Sequence, residues 1–287
     1  MKEQKVVVTI TDEDLVLEIQ NGSKESFEKL FRKYQPWIYN IVLRMVMLAE
    51  DAEDITQEIL IKIMTSLSTF KHQSSFKTWL FRIVKNHVMN MKKCKSELEY
   101  TSFYLYGKGI DNSPDFDPPD TKNLPVEMNV LQHEIQIHCI TGMLLCLNRE
   151  QRLIFIMGEI VGIGHNIGSK VFDISQANYR KRLSRARKLV YQFMQERCGL
   201  VKNKNVCHCK SKLAGMIEAK IINPEYISYK VDPQLQGLAG TKYNKLMNIL
   251  DKKCRRVFQE NSALQSPDFV NEMKKFIYGN ELSNLFN

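Results

Sequence analysis

One hard break in an otherwise helical pattern limits the folds open to this chain. The stretch GIDNSPDFDPPDT, residues 109–121, holds three prolines and four aspartates (Asp111, Asp115, Asp117, Asp120) without a base. Proline lacks the backbone donor and clashes with the preceding turn, so no regular helix crosses such a segment. On both sides apolar residues recur at helical spacing, over about 11–97 and again from about Val126 to Glu196. A third segment opens at Cys198 and carries two further helix-like runs, 240–260 and 267–279, while alternating strand-like patterning is confined to VVVTI near the start. The expectation is an all-α protein. Residues 11–97 and 128–196 form two small helical domains, 98–127 an acidic, Pro-rich flexible linker, and 197–287 a mainly helical C-terminal extension.

Charge and cysteine usage narrow the class. A net charge of +9 over 287 residues favours a polyanionic partner. No apolar run approaches the roughly 18 residues of a membrane span, so membrane insertion is not expected. The start, MKEQKVVVTITDEDL, lacks the apolar block and small-residue cleavage site of a signal peptide. Seven cysteines, an odd number, suit reduced thiols or metal ligands better than a disulfide framework. These features predict a cytoplasmic protein. No Walker loop, HExxH or nucleophile–base pair is present, so an enzyme is not expected.

Residues 51–64, DAEDITQEILIKIM, read as a helix with two contrasting faces. Ala52, Ile55, Ile59 and Ile63 form the apolar stripe that packs inward. Asp54, Gln57, Glu58, Ile61 and Lys62 fall away from it. Five acids (Glu50, Asp51, Glu53, Asp54, Glu58) against the single base Lys62 reverse the charge of the chain locally. An acidic face carrying an isoleucine suits docking on a basic helical surface, with charge steering the encounter and apolar area adding affinity. A solvated face with one stray isoleucine is the alternative.

The next stretch, STFKHQSSFKTWLFRIVKNHVMNMKK (68–93), places a short polar loop between Phe70 and Phe76 and then a helix. Phe76, Leu80, Ile83 and Val84 pack inward, and Trp79 reads as core. Lys77, Arg82, Lys85, Asn86, Lys92 and Lys93 project elsewhere. Cations beside an amide-rich loop suit a single nucleic-acid strand, with phosphates tracked by the bases and an unstacked base entering the loop.

In the second half, residues 175–188 hold Arg180, Lys181, Arg182, Arg185, Arg187 and Lys188 and no acid. Tyr179, Leu183, Ala186 and Val190 face a core, which leaves Gln176, Ala177, Arg180, Lys181 and Ser184 outward. Ser175 is placed to cap this helix, and a short apolar element and a turn precede it. The pattern is that of a helix-turn-helix with its second helix in the major groove.

DAEDITQEILIKI followed by F-x5-FKTWLFRIVKN resembles the second conserved region of extracytoplasmic-function (ECF) sigma factors, bacterial promoter-specificity subunits of RNA polymerase. LLCLNREQR through KRLSRARK is similar to the family's fourth conserved region, and no third-region helices intervene. The resemblance implies a region 2-like bundle and a region 4-like helix-turn-helix. It implies docking of Asp54, Gln57, Glu58 and Ile61 on the β′ clamp helices of core RNA polymerase. Lys71, His72, Gln73 and Ser74, with Arg82, Lys85 and Asn86, would capture the minus-ten element. Gln176, Asn178, Arg180 and Lys181 would read the minus-35 bases, with Arg182, Arg185 and Arg187 on phosphate or the β flap. The implied function is binding core polymerase and directing transcription initiation at a small set of promoters, with an anti-sigma factor as a further class of partner. The linker aspartates would run through the polymerase RNA path, or simply be solvated. Three residues depart from the family pattern: Asn148 stands where proline is usual, Gly168 at an aliphatic position, and Asp173 at the turn glycine.

Beyond residue 197 the minimal family ends. CGLVKNKNVCHC resembles an element of a subset of these factors that carry cysteine-containing extensions. Cys198, Cys207 and Cys209, with His208 or Cys254, could bind zinc or another soft metal; no cofactor is otherwise required. Free thiols or a redox switch are the alternatives. Two rival functions stay open on the residues alone. One is a metal-responsive helix-turn-helix repressor acting on duplex DNA without polymerase. The other is a nucleic-acid-modifying metalloenzyme built on the Cys/His cluster.

Overall fold

The computed structural model describes residues 10–99, 102–115, 126–229, 249–262, 264–271 and 273, and no strand occurs among them. The VVVTI start, the 240–248 part of one expected helix and the end of the 267–279 run lie largely outside them; residues 269–271 are helical.

The first half is a bundle of α1 (Asp12–Gln20), α2 (Lys24–Val46), α3 (Ala49–Ser66) and α4 (Phe76–Asn90), followed by the short α5 (Lys95–Glu99). Local signals set the starts. Thr11 and Asp14 close a capping box on α1, Ser23 caps α2, and Ser75 caps α4 by accepting from Thr78 N. Glu13 reaches across from α1 to accept from Phe76 N at 2.9 Å, satisfying a second donor at the start of α4. On α3, Ala52, Ile59 and Ile63 are buried as expected, together with Thr56, Leu60 and Met64; Ile55 is half-buried.

The second half comprises α7 (Met128–Leu145), α8 (Arg149–Phe155), a π-helical turn (Ile156–Ile160), α9 (His165–Phe172) and α10 (Gln176–Arg197). The three departures from the family pattern each have a local explanation. Asn148 caps α8 in a box with Gln151 (2.9 and 3.4 Å), a role proline cannot fill. Asp173 takes the left-handed conformation that ends α9 (φ 54°, ψ 48°). At Gly168 an added Cβ would lie 2.3 Å from the Tyr179 ring, so the missing side chain is what lets α9 and α10 approach.

Two findings differ from the sequence reading. The expected flexible linker 98–127 contains a docked helix, α6 (Phe103–Asn112). Its Tyr106 hydroxyl donates to Cys139 O at 3.2 Å, its Phe103 and Tyr106 rings lie against Phe193, and Asp111 pairs with Arg197. Phe103, Tyr106 and Ile110 supply an apolar stripe that the nearby prolines obscured. The halves are also not independent bodies. One buried apolar cluster runs from Leu15 through Ile140, Phe155 and Tyr191 to Met273, and α4 packs directly on α9. The extension contributes α11 (Cys209–Glu218), which packs on α7, and α12 (Ile249–Glu260), which packs on α10 and the π turn.

Candidate protein and nucleic-acid interface

The acidic face of α3 is presented to solvent. Asp54 and Glu58 are exposed, Gln57 is half-buried, and Ile61 is 41 % exposed. These side chains are aligned because they sit about one turn apart, opposite a stripe held in the core. Glu58 also meets His87 of α4 at 3.2 Å. Burial holds the His87 pKa below its ordinary value, and the Glu58 carboxylate opposes that shift.

The loop before α4 is anchored from beneath by aromatic rings. Phe70, Phe76 and Trp79 lie 5.3–5.9 Å apart between centroids, and Trp79 belongs to this packing, as expected. Above them Lys71, His72 and Gln73 are exposed and Ser74 half-buried. His72 adopts positive φ (53°) and its ring lies 4.6 Å from Phe70, which bends the loop outward over the rings. On α4, Asn86 and Arg82 are exposed and Lys85 is half-buried, Lys85 donating to Asn86 Oδ1 at 3.1 Å. Arg82 has a second engagement: its Nε donates to Lys170 O on α9 at 2.9 Å.

On α10, Gln176, Ala177, Asn178, Arg180, Lys181, Ser184 and Arg185 are exposed, while Tyr179, Leu183, Ala186 and Val190 are buried. Ser175 caps the helix through Asn178 N at 3.2 Å. Two of the expected cations are committed internally. Arg182 pairs with Glu150, and Arg187 pairs with the buried Glu159. The exposed basic surface therefore consists of Arg180, Lys181, Arg185 and Lys188 rather than of all six bases.

The sequence family Sigma-70 region 2 matches residues 30–97, which covers most of α2, all of α3 and α4, and the start of α5. The RNA polymerase sigma-H factor of Pseudomonas aeruginosa is 27 % identical over 189 residues, covering 64 % of this chain and 94 % of that protein. The ECF RNA polymerase sigma-E factor of Escherichia coli K12 is 26 % identical over 191 residues, covering 63 % and 93 %. The chain is similar to ECF sigma factors over about two thirds of its length. Among solved structures, CnrH in complex with the cytosolic domain of CnrY is similar with a TM-score of 0.47 and 17 % identity, over 64 % of this chain and 97 % of that chain. The matched family and both relatives are, by their names, RNA polymerase sigma factors. No helix among the described residues is long and apolar enough to cross a membrane.

Several residues that organise the fold carried no assignment in the sequence. Arg152 is buried and donates to the carbonyls of Met45, Leu144 and Leu147 (2.6–3.1 Å), tying the end of α2 to the α7–α8 turn. Glu97, also buried, accepts from Arg152 and Arg149 at 3.0 and 2.6 Å. Those two guanidiniums hold its pKa down against the opposing effect of burial. The signal was the arginine at the end of L-x-x-L-N-x-x-x-R, which periodicity alone does not mark as structural.

Cys198, Cys207 and Cys209 line one cavity of about 370 Å³ with Cys139 of α7, a thiol the sequence did not single out. Among the described residues, however, no three His, Cys, Asp or Glu side chains are grouped to hold an ion. Cys198 and Cys207 face each other across an isolated bridge, and the His208 ring lies over Gly199 instead of joining them. Burial raises Cys207 to about 11 and Cys209 to about 12, so both are neutral thiols.

Proposed function

We propose that this protein is an ECF sigma factor, which binds core RNA polymerase through the acidic face of α3 and directs it to a small set of promoters. The observation that carries the reading is the outward display of Asp54, Glu58 and Ile61 beside the aromatic-floored loop at Lys71–Ser74. Complementary charge would steer α3 onto a basic helical surface of the polymerase, and Ile61 would add apolar contact. The loop, with Lys85 and Asn86 beside it, suits a single unstacked strand of the minus-ten element. Gln176, Asn178, Arg180 and Lys181 are spaced for base edges in the minus-35 major groove, with Arg185 on phosphate. The β flap and an anti-sigma factor are the further partners that this reading includes. A repressor working on duplex DNA alone would leave the α3 face without a role.

Run-off transcription on fragments selected with the reconstituted holoenzyme tests the proposal. Wild type should support initiation at a few fragments, and Gln73→Ala should reduce melting-dependent product more than holoenzyme formation. Initiation that is independent of the added sigma factor would count against it.

A further inference from the structure

We infer that the C-terminal extension is an intramolecular clasp, which holds the two promoter-reading halves together and keeps the sigma factor from spanning a promoter. The inference rests on the sigma reading above.

The extension grips both halves. On the second half, Phe258 of α12 lies against Phe155 and Tyr191 with centroids 4.9 and 6.4 Å away. Arg255 meets the buried Glu159 at 3.4 Å, and Gln195 donates to Asp251 at 2.7 Å. On the first half, residues 261–262 and 264–271 meet α2. Asn40 exchanges two hydrogen bonds with the Leu264 backbone (2.7 and 3.0 Å), Arg44 donates to Asn261 O, and Gln35 accepts from Val270 N at 3.1 Å. Arg32 closes the end on Asp268 and Asn271.

Both grips bury apolar side chains. On the second half Phe258 packs among aromatic rings, and on α2 Phe269 lies 6.1 Å from the Tyr39 ring, with Leu264 and Val270 buried beside it. Releasing either grip costs apolar burial, and on α2 it also exposes the buried hydrogen bonds to the strap backbone. The exposed Arg32–Asp268 pair at the end of the α2 grip is where the strap is easiest to loosen.

Opening is required by size. A packed chain of this length has a radius of gyration of ~19 Å and a diameter of ~50 Å. Elements about 25 base pairs apart are separated by about 85 Å at 3.4 Å per pair. In the clasped arrangement α4 also packs on α9, with Arg82 bonded to Lys170 O, so the helix meant for the minus-ten strand is held by the helix-turn-helix.

The test uses the full chain. Wild type, Asp268→Arg/Phe269→Ala, Arg32→Asp, and the charge swap Arg32→Asp/Asp268→Arg are compared by small-angle scattering and by run-off transcription per bound sigma factor. The double variant and Arg32→Asp should enlarge the radius of gyration and raise transcription at least threefold for the double variant, and the swap should return both toward wild type. A folded double variant that stays as compact as wild type overturns the clasp. One that opens without raising transcription overturns its restraining role. If no variant binds polymerase, the sigma reading fails, while scattering still decides whether the clasp exists.

Discussion

At the scale of single residues, contacts between α9 and α10 invert what helix propensity would suggest. Gly168→Ala would ordinarily gain about 1 kcal/mol in a helix. Here the new Cβ meets the Tyr179 ring at 2.3 Å, so the variant should instead lose about 1–3 kcal/mol in urea unfolding. Tyr179 itself carries a buried hydroxyl without a hydrogen-bond partner among the described residues, and Tyr179→Phe should leave stability unchanged or raise it. Glu159 sets the opposite case. It is buried between Arg187, Arg255 and the Tyr191 hydroxyl, and Glu159→Gln should cost about 3–5 kcal/mol because cations are left uncompensated. His138 provides the pH dependence. Burial depresses its pKa from 6.5 to about 4, so the unfolded chain takes up the proton first as pH falls. Its contribution is complete above pH 6.5 and declines toward pH 4, by about 2 kcal/mol at pH 5. His138→Leu should flatten the difference between urea midpoints at pH 7 and pH 5.

At the scale of elements, what could be read from the sequence depended on whether one periodicity dominated. The buried stripes of α3 and α10 and the Ser175 and Asp173 ends of the helix-turn-helix were legible, because capping and 3.6-residue spacing agree there. The helix α6 was not, because its three apolar residues are followed at once by Ser113, Pro114 and the aspartates, and the local composition outweighs a short stripe. Asn148 shows the converse: as a departure from a family pattern it looked unfavourable, yet its side chain starts α8. Asn148→Ala should lower stability by about 1 kcal/mol, measured by thermal unfolding. The commitments of Arg182 to Glu150 and Arg187 to Glu159 were also hidden, since sequence spacing gives no view of an acid on another element.

At the scale of the whole molecule, the order of the two halves was plain from the sequence, but their joint core was not. Contacts such as Asn40 with Leu264 or Arg32 with Asp268 span more than two hundred residues, and no local pattern announces them. Cys139 escaped notice for the same reason, being far in sequence from the thiols with which it shares a cavity. What remains on the outside is the proposed functional surface: the acidic face of α3, the loop at Lys71–Ser74 and the outer face of α10. The most direct test of this account is size-exclusion chromatography with core RNA polymerase, comparing wild type with Asp54→Lys/Glu58→Lys. The account predicts co-elution of the wild type and its loss in the equally folded double variant. Co-elution of both, or of neither, would contradict it.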